Sequence, residues 1–89
     1  MIPFLPDKMP DIRKFFDFTA GKRRVREGDI FFHLEDPEVF FVAIAQCGKE
    51  IHIFNHQEKR MLCFEAGERY PGLIIAGHIW EPKARRLLN

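Results

Sequence analysis

The sequence predicts a mainly β fold, a small antiparallel barrel or sandwich of five or six strands with one short N-terminal helix. Segments rich in Val, Ile and Phe recur from Lys22 onward at about the 8–12-residue spacing of all-β domains. Turn chemistry separates them, at Glu27-Gly28-Asp29, Glu35-Asp36-Pro37-Glu38, Cys47-Gly48-Lys49, Asn55-His56-Gln57-Glu58 and Ala66-Gly67-Glu68. These connections are too short for the crossovers that parallel strands require, so neighbours should be antiparallel.

At 89 residues the chain is one domain. Its 46% hydrophobic and 30% charged content are those of a soluble globular protein. Pro3, Pro6 and Pro10 break the first ten residues, and proline fixes φ and lacks a donor, so residues 1–10 should form an extended arm. The folded domain then covers residues 11–81, followed by a basic tail over 82–89. Ile12, Phe15 and Phe16 stand at i, i+3 and i+4, which predicts a short amphipathic helix. Pro10 or Asp11 suits its first turn and Gly21 its end.

Strand candidates follow at 22–26, 29–34, 39–46, 50–55, 60–65 and 73–80. Residues 39–45 (VFFVAIA) and 73–80 (LIIAGHIW) are apolar on both alternating faces. Both should therefore be central strands covered on two sides. A second layer of sheet, the helix or a second copy of the chain would have to cover them. No internal repeat or low-complexity tract is evident.

Charge is unevenly spread. Residues 1–26 hold seven Lys/Arg and three Asp, residues 27–81 four Lys/Arg and ten Asp/Glu, and residues 82–89 three basic side chains. A uniformly basic domain would point to DNA, and this one does not. The densest cluster is Lys22, Arg23, Arg24 and Arg26. On a strand, alternation sends Lys22, Arg24 and Arg26 to one face, which suits phosphate contact beside Phe18, Phe31 or Phe32 as stacking platforms. The competing reading is a solvated edge strand whose charge blocks aggregation. Lys83, Arg85 and Arg86 belong either to a basic appendage or to a last helical turn pinned by Leu87 and Leu88.

Several chemistries are absent. The chain has no serine and a single threonine, Thr19, which removes serine-hydrolase and serine–lysine mechanisms. His33, His52, Cys47 and Cys63 do not show metal-ligand spacing, so no metal or other cofactor is expected. Glu35, Asp36 and Glu38 could act as an acid/base or metal pair, but an acidic turn is the commoner explanation. Cys47 sits in a turn where Lys49 or a histidine could activate its thiol, but a turn cysteine next to a strand is more often incidental. Two cysteines are too few for a disulfide framework, and no leader peptide or membrane span is evident, so reduced thiols and a cytoplasmic location are expected.

The only Tyr and the only Trp fall in 67–80, where His78 and Trp80 share a strand face. An exposed Trp80 beside His78 would make a binding surface; a buried one would close the barrel with its indole N–H on a carbonyl. From Gly28-Asp29, opening a strand, to Ile75, Gly77 and Ile79, spaced I-x-G-x-I, the layout loosely resembles the β-rich C-terminal region of LexA-type autoproteolytic repressors. That resemblance implies a β-rich fold only, because the serine of their dyad has no counterpart.

The sequence therefore predicts a non-catalytic binding or regulatory module acting on another protein or on a second copy of itself. Lys22, Arg24, Arg26, Phe31, His78 and Trp80 are its candidate contact residues. Single-stranded nucleic-acid binding through 22–26 is one alternative, and a small-ligand carrier or enzyme with a barrel mouth lined by Phe, His33 or His78 is another.

Overall fold

The computed structural model describes residues 9–11 and 13–89. Most of the arm expected over 1–10, and Ile12 of the expected helix, lie outside the described residues. The elements are β1 (Phe15–Ala20), β2 (Arg23–Arg26), β3 (Asp29–His33), β4 (Asp36–Cys47), β5 (Glu50–Asn55), β6 (Arg60–Glu65), β7 (Leu73–His78), α1 (Pro82–Arg85) and a 3-10 turn, Arg86–Leu88. Strands β1 and β2 form a two-stranded sheet, and the other five form a second sheet in the order β6-β5-β4-β3-β7. Every pairing is antiparallel. The sheets do not close into a barrel.

The N-terminal helix is a correction, because residues 15–20 are strand. Phe16, Phe18 and Ala20 are buried, and Phe15, Asp17 and Thr19 alternate with them in solvent. This period of two, in a stretch of Phe and Thr that favours strands, overrides the i, i+3, i+4 triad. A helix forms at the other end of the chain. Pro82 occupies its first turn, where a missing N–H costs nothing, and Lys83 and Arg85 complement the dipole in its last. Leu88 is buried while Leu87 is exposed, so one of the two leucines pins the tail.

The five-stranded sheet is covered on both faces. On one, the β1–β2 hairpin sets Phe16, Phe18, Ala20 and Val25 against Phe31, Ala43, Ile51, Ile53 and Leu73. On the other, Ala84 and Leu88 pack on Ile30, Val42, Phe54 and Ile79, flanked by Phe40, Ile44 and Trp80. The double coverage expected of 39–45 and 73–80 is thus partly right. Strand β4 is central, but β7 is an edge. Its Gly77 lies under α1, where an added Cβ would meet the Cβ of Ala84.

The acidic turn is shorter than expected. Only Leu34 and Glu35 turn, and Asp36-Pro37-Glu38 begin β4. Pro37 falls where the β3–β4 register shifts, so its missing N–H breaks no regular ladder.

Asp29 holds the corner where the chain passes from one sheet to the other. It is fully buried. The Arg23 guanidinium donates to both its oxygens, at 3.1 and 3.3 Å, and the Arg26 backbone N–H donates at 2.7 Å. The Arg26 side chain approaches at 3.7 Å. A buried carboxylate is tolerable only when so paired and hydrogen-bonded.

The β3–β7 ladder is closed alike at its two ends. His33 Nε2–H donates to Pro71 O, with Nδ1 accepting from the Glu35 N–H. His78 Nε2–H donates to Glu27 O, with Nδ1 accepting from the Trp80 N–H. Gly72 O accepts from Leu34 N–H, and Gly28 O from Ile79 N–H. Both glycines have φ of +88°, and a Cβ on either would stand 2.7 Å from the facing imidazole. No repeat was expected, yet Gly28-x-Ile30…His33-Leu34 and Gly72-x-Ile74…His78-Ile79 match about this local two-fold. The extra residue of β7 is taken up by the register shift beside Gly77.

Candidate functional site

The concave face under the β1–β2 hairpin is filled at its centre and open at one end. Phe18 is the hub of the filled part, with edge-to-face contacts to Phe31, Phe64 and Tyr70 at centroid distances of 5.7, 5.5 and 5.5 Å. Phe64 stacks on Tyr70 at 4.5 Å, and Phe31 on Phe41 at 5.6 Å. Such contacts fix the rings as well as bury them. The Tyr70 hydroxyl accepts from the Glu65 N–H at 3.1 Å, which holds the 66–72 connection against β6.

Beyond these rings lies a cleft of about 500 Å³ lined by Thr19, Gly21, Leu34 and residues 69–74. It adjoins an apolar hollow of about 320 Å³ walled by His33, Phe41, Phe64, Arg69, Tyr70, Pro71 and Leu73. Arg69, Tyr70, Pro71 and Leu73 line both. Arg69 is the single Arg, Lys, Asp or Glu among the described lining residues. Leu34, 61% exposed, stands on the rim. The bond from His33 to Pro71 O fixes one wall. The cleft offers a flat aromatic seat, an apolar rim and one cation.

The basic strand is largely committed to the fold. Arg23 and Arg26 clamp Asp29. Arg24 Nε donates to Phe16 O at 3.1 Å, next to the β1 irregularity where Asp17 leaves the ladder and bonds instead to Gln46 Oε1 and Gly67 N–H. Lys22 is exposed in the turn. Arg24 is exposed, whereas Arg26, expected on the same open face, is half-buried against Asp29. The stacking platforms are corrected as well. Phe18 and Phe31 are 3% and 0% exposed and present no ring to a base, while Phe32 packs edge-to-face on Phe40.

His78 is buried at its latch and Trp80 is half-buried against the α1 cluster, so the pair makes no exposed binding face. The barrel-closing alternative also needs correction. The indole Nε1 is buried without a hydrogen-bond partner among the described residues. The candidates Lys22, Arg24, Arg26, Phe31, His78 and Trp80 therefore do not converge on one surface.

Sequence reasoning missed Phe41, Phe64, Arg69, Tyr70 and Leu73. One signal was available, since Leu62 and Phe64 alternate with Met61, Cys63 and Glu65. The meeting of β6 with the 66–72 connection across the open end required the topology. Of the residues weighed as metal ligands, His52 and Cys63 do come together, with Glu50, on the opposite face of the sheet, while His33 belongs to the cleft. Both cysteines are free and exposed. Among the described residues no helix is long and apolar enough to cross a membrane.

No family model, curated protein or solved structure matches this chain. The strand-layout resemblance to LexA-type repressors carries no activity to it.

Proposed function

We propose that the chain is a non-catalytic binding module that receives a short segment of a partner protein in the cleft beside Tyr70. The segment supplies an apolar side chain to the seat formed by Phe41, Phe64, Tyr70 and Leu73, and a carboxylate to Arg69. One observation carries the reading: an open, aromatic-lined cleft holds one cation and no anion among its described lining residues. Rigid aromatic walls give large contact area at small entropic cost. The cleft is open to solvent rather than enclosed, which suits a side chain presented on a peptide. The basic strand supports the nucleic-acid alternative less, because its guanidinium groups already have partners and Phe18 and Phe31 are buried.

Selection from a random peptide library tests the reading. Binders to the native protein should share a large apolar residue and a nearby Asp or Glu. Binders to the Arg69→Glu variant should exchange that acid for Lys or Arg. Selected peptides with no such exchange would reject the cleft as the binding site.

A further inference from the structure

We propose that Glu50, His52 and Cys63 form a zinc(II)-binding site on the β5–β6 ladder, on the face opposite the cleft. In this ladder His52 stands directly across from Cys63, and Glu50 directly across from Glu65. Residues 50, 52, 63 and 65 thus share one face, while Ile51 and Ile53 point into the hairpin-side core on the other. A ligand atom from each of Glu50, His52 and Cys63 lies within 4.8 Å of the other two. Two of them, Glu50 Oε2 and His52 Nε2, already converge to 3.4 Å.

The donor set is the argument for the metal. Thiolate, imidazole and carboxylate together suit a borderline-soft cation, whereas magnesium and calcium take oxygen ligands. Tetrahedral zinc with bonds near 2.0–2.3 Å places its ligands roughly 3.3–3.8 Å apart. The present spacing closes to that by about 1 Å of side-chain rotation, and Glu50 and Cys63 are exposed and free to make it.

A second feature points the same way. Glu50 faces Glu65 across the ladder, and like charges directly opposite destabilise a strand pair. A dication between these strands removes that repulsion. Glu65 or water is then available for the fourth position. Zinc takes Cys63 as thiolate and His52 as neutral imidazole, so protons compete with the metal and acidification weakens binding. Bound zinc would clip the edge strand β6 to β5.

Cobalt(II) titration of the full chain under reducing conditions provides the test. The proposal expects one cobalt per chain, a thiolate-to-cobalt charge-transfer band and displacement by zinc. Cys63→Ser should abolish the band. His52→Gln should keep a thiolate ligand but lower affinity by at least the roughly 10- to 100-fold that even outer-shell changes cost. Cys47→Ser should leave both band and affinity unchanged. Circular dichroism without metal shows whether each variant is folded, and His52→Gln keeps the test decisive if Cys63→Ser is not. Absence of a band at millimolar cobalt, a band that survives in Cys63→Ser, or one lost in Cys47→Ser would overturn the assignment.

Discussion

His33 and His78 occupy equivalent places at opposite ends of the β3–β7 ladder, each donating through Nε2 to a carbonyl that directly precedes a glycine. One latch closes the corner where β2 passes into β3. The other fixes the 69–72 connection that walls the cleft. The same local device therefore serves the frame at one end and the proposed binding site at the other.

The latches make the two glycines unusually sensitive. Gly72→Ala and Gly28→Ala each place a Cβ against an imidazole in a left-handed backbone region, which alone costs about 1–3 kcal/mol. Gly48 is also left-handed, at +61°, but has open space around it. Urea unfolding should rank Gly48→Ala as the mildest of the three. Equal losses at all three positions would remove the latch from the explanation.

Asp29 should be the most costly polar residue to change. Asp29→Asn takes the counter-charge from two partly exposed guanidinium groups and replaces one acceptor oxygen by a donor, and loss of a charged hydrogen-bond partner costs about 1.5–3 kcal/mol. Arg23→Ala should cost less, because the Arg23 side chain is 42% exposed and Arg26 still serves the carboxylate. Chemical denaturation of both variants gives the comparison.

Strand β1 predicts a specific pattern among its phenylalanines. Phe18→Ala should destabilise by about 3–5 kcal/mol as a large core truncation. Phe15→Ala should stay near the ±0.5 kcal/mol or so of a surface change, since Phe15 is 48% exposed. The helix predicted from the i, i+3, i+4 triad would make Phe15 costly. The two melts decide between strand and helix.

His56 makes stability pH-dependent. Burial, reinforced by Lys59, holds its pKa below the ordinary 6.5, and a hydrogen bond with the Leu88 backbone opposes this without reversing it. The unfolded chain then binds the proton more readily, so stability rises with pH across the window between the folded value and 6.5. This contribution is complete above about 6.5 and is lost as acidification passes through the folded pKa. Denaturation at several pH values should show a shallower acid-side decline in His56→Gln than in the native chain.

The sheet was legible in the sequence because turn residues punctuate it and strand composition fills the intervals. The two-sided coverage of residues 39–45 was visible in their unbroken apolar run. Residues 15–20 were misread because Phe15 and Phe16 serve either periodicity, and only their packing partners decide between them. The basic cluster looks like a surface feature in the sequence because its counter-charge, Asp29, sits behind a Gly turn and reads as part of that turn. The cleft was invisible for a different reason. Phe41 and Phe64 meet Tyr70 only through a strand order that local patterning does not encode.

Amide chemical-shift mapping with the tightest selected apolar-acidic peptide tests the binding account most directly. The account predicts perturbations concentrated at His33, Phe41, Phe64 and residues 69–74, diminished in Arg69→Glu. Perturbations concentrated at Lys22–Arg26 or on the α1 face instead would contradict it.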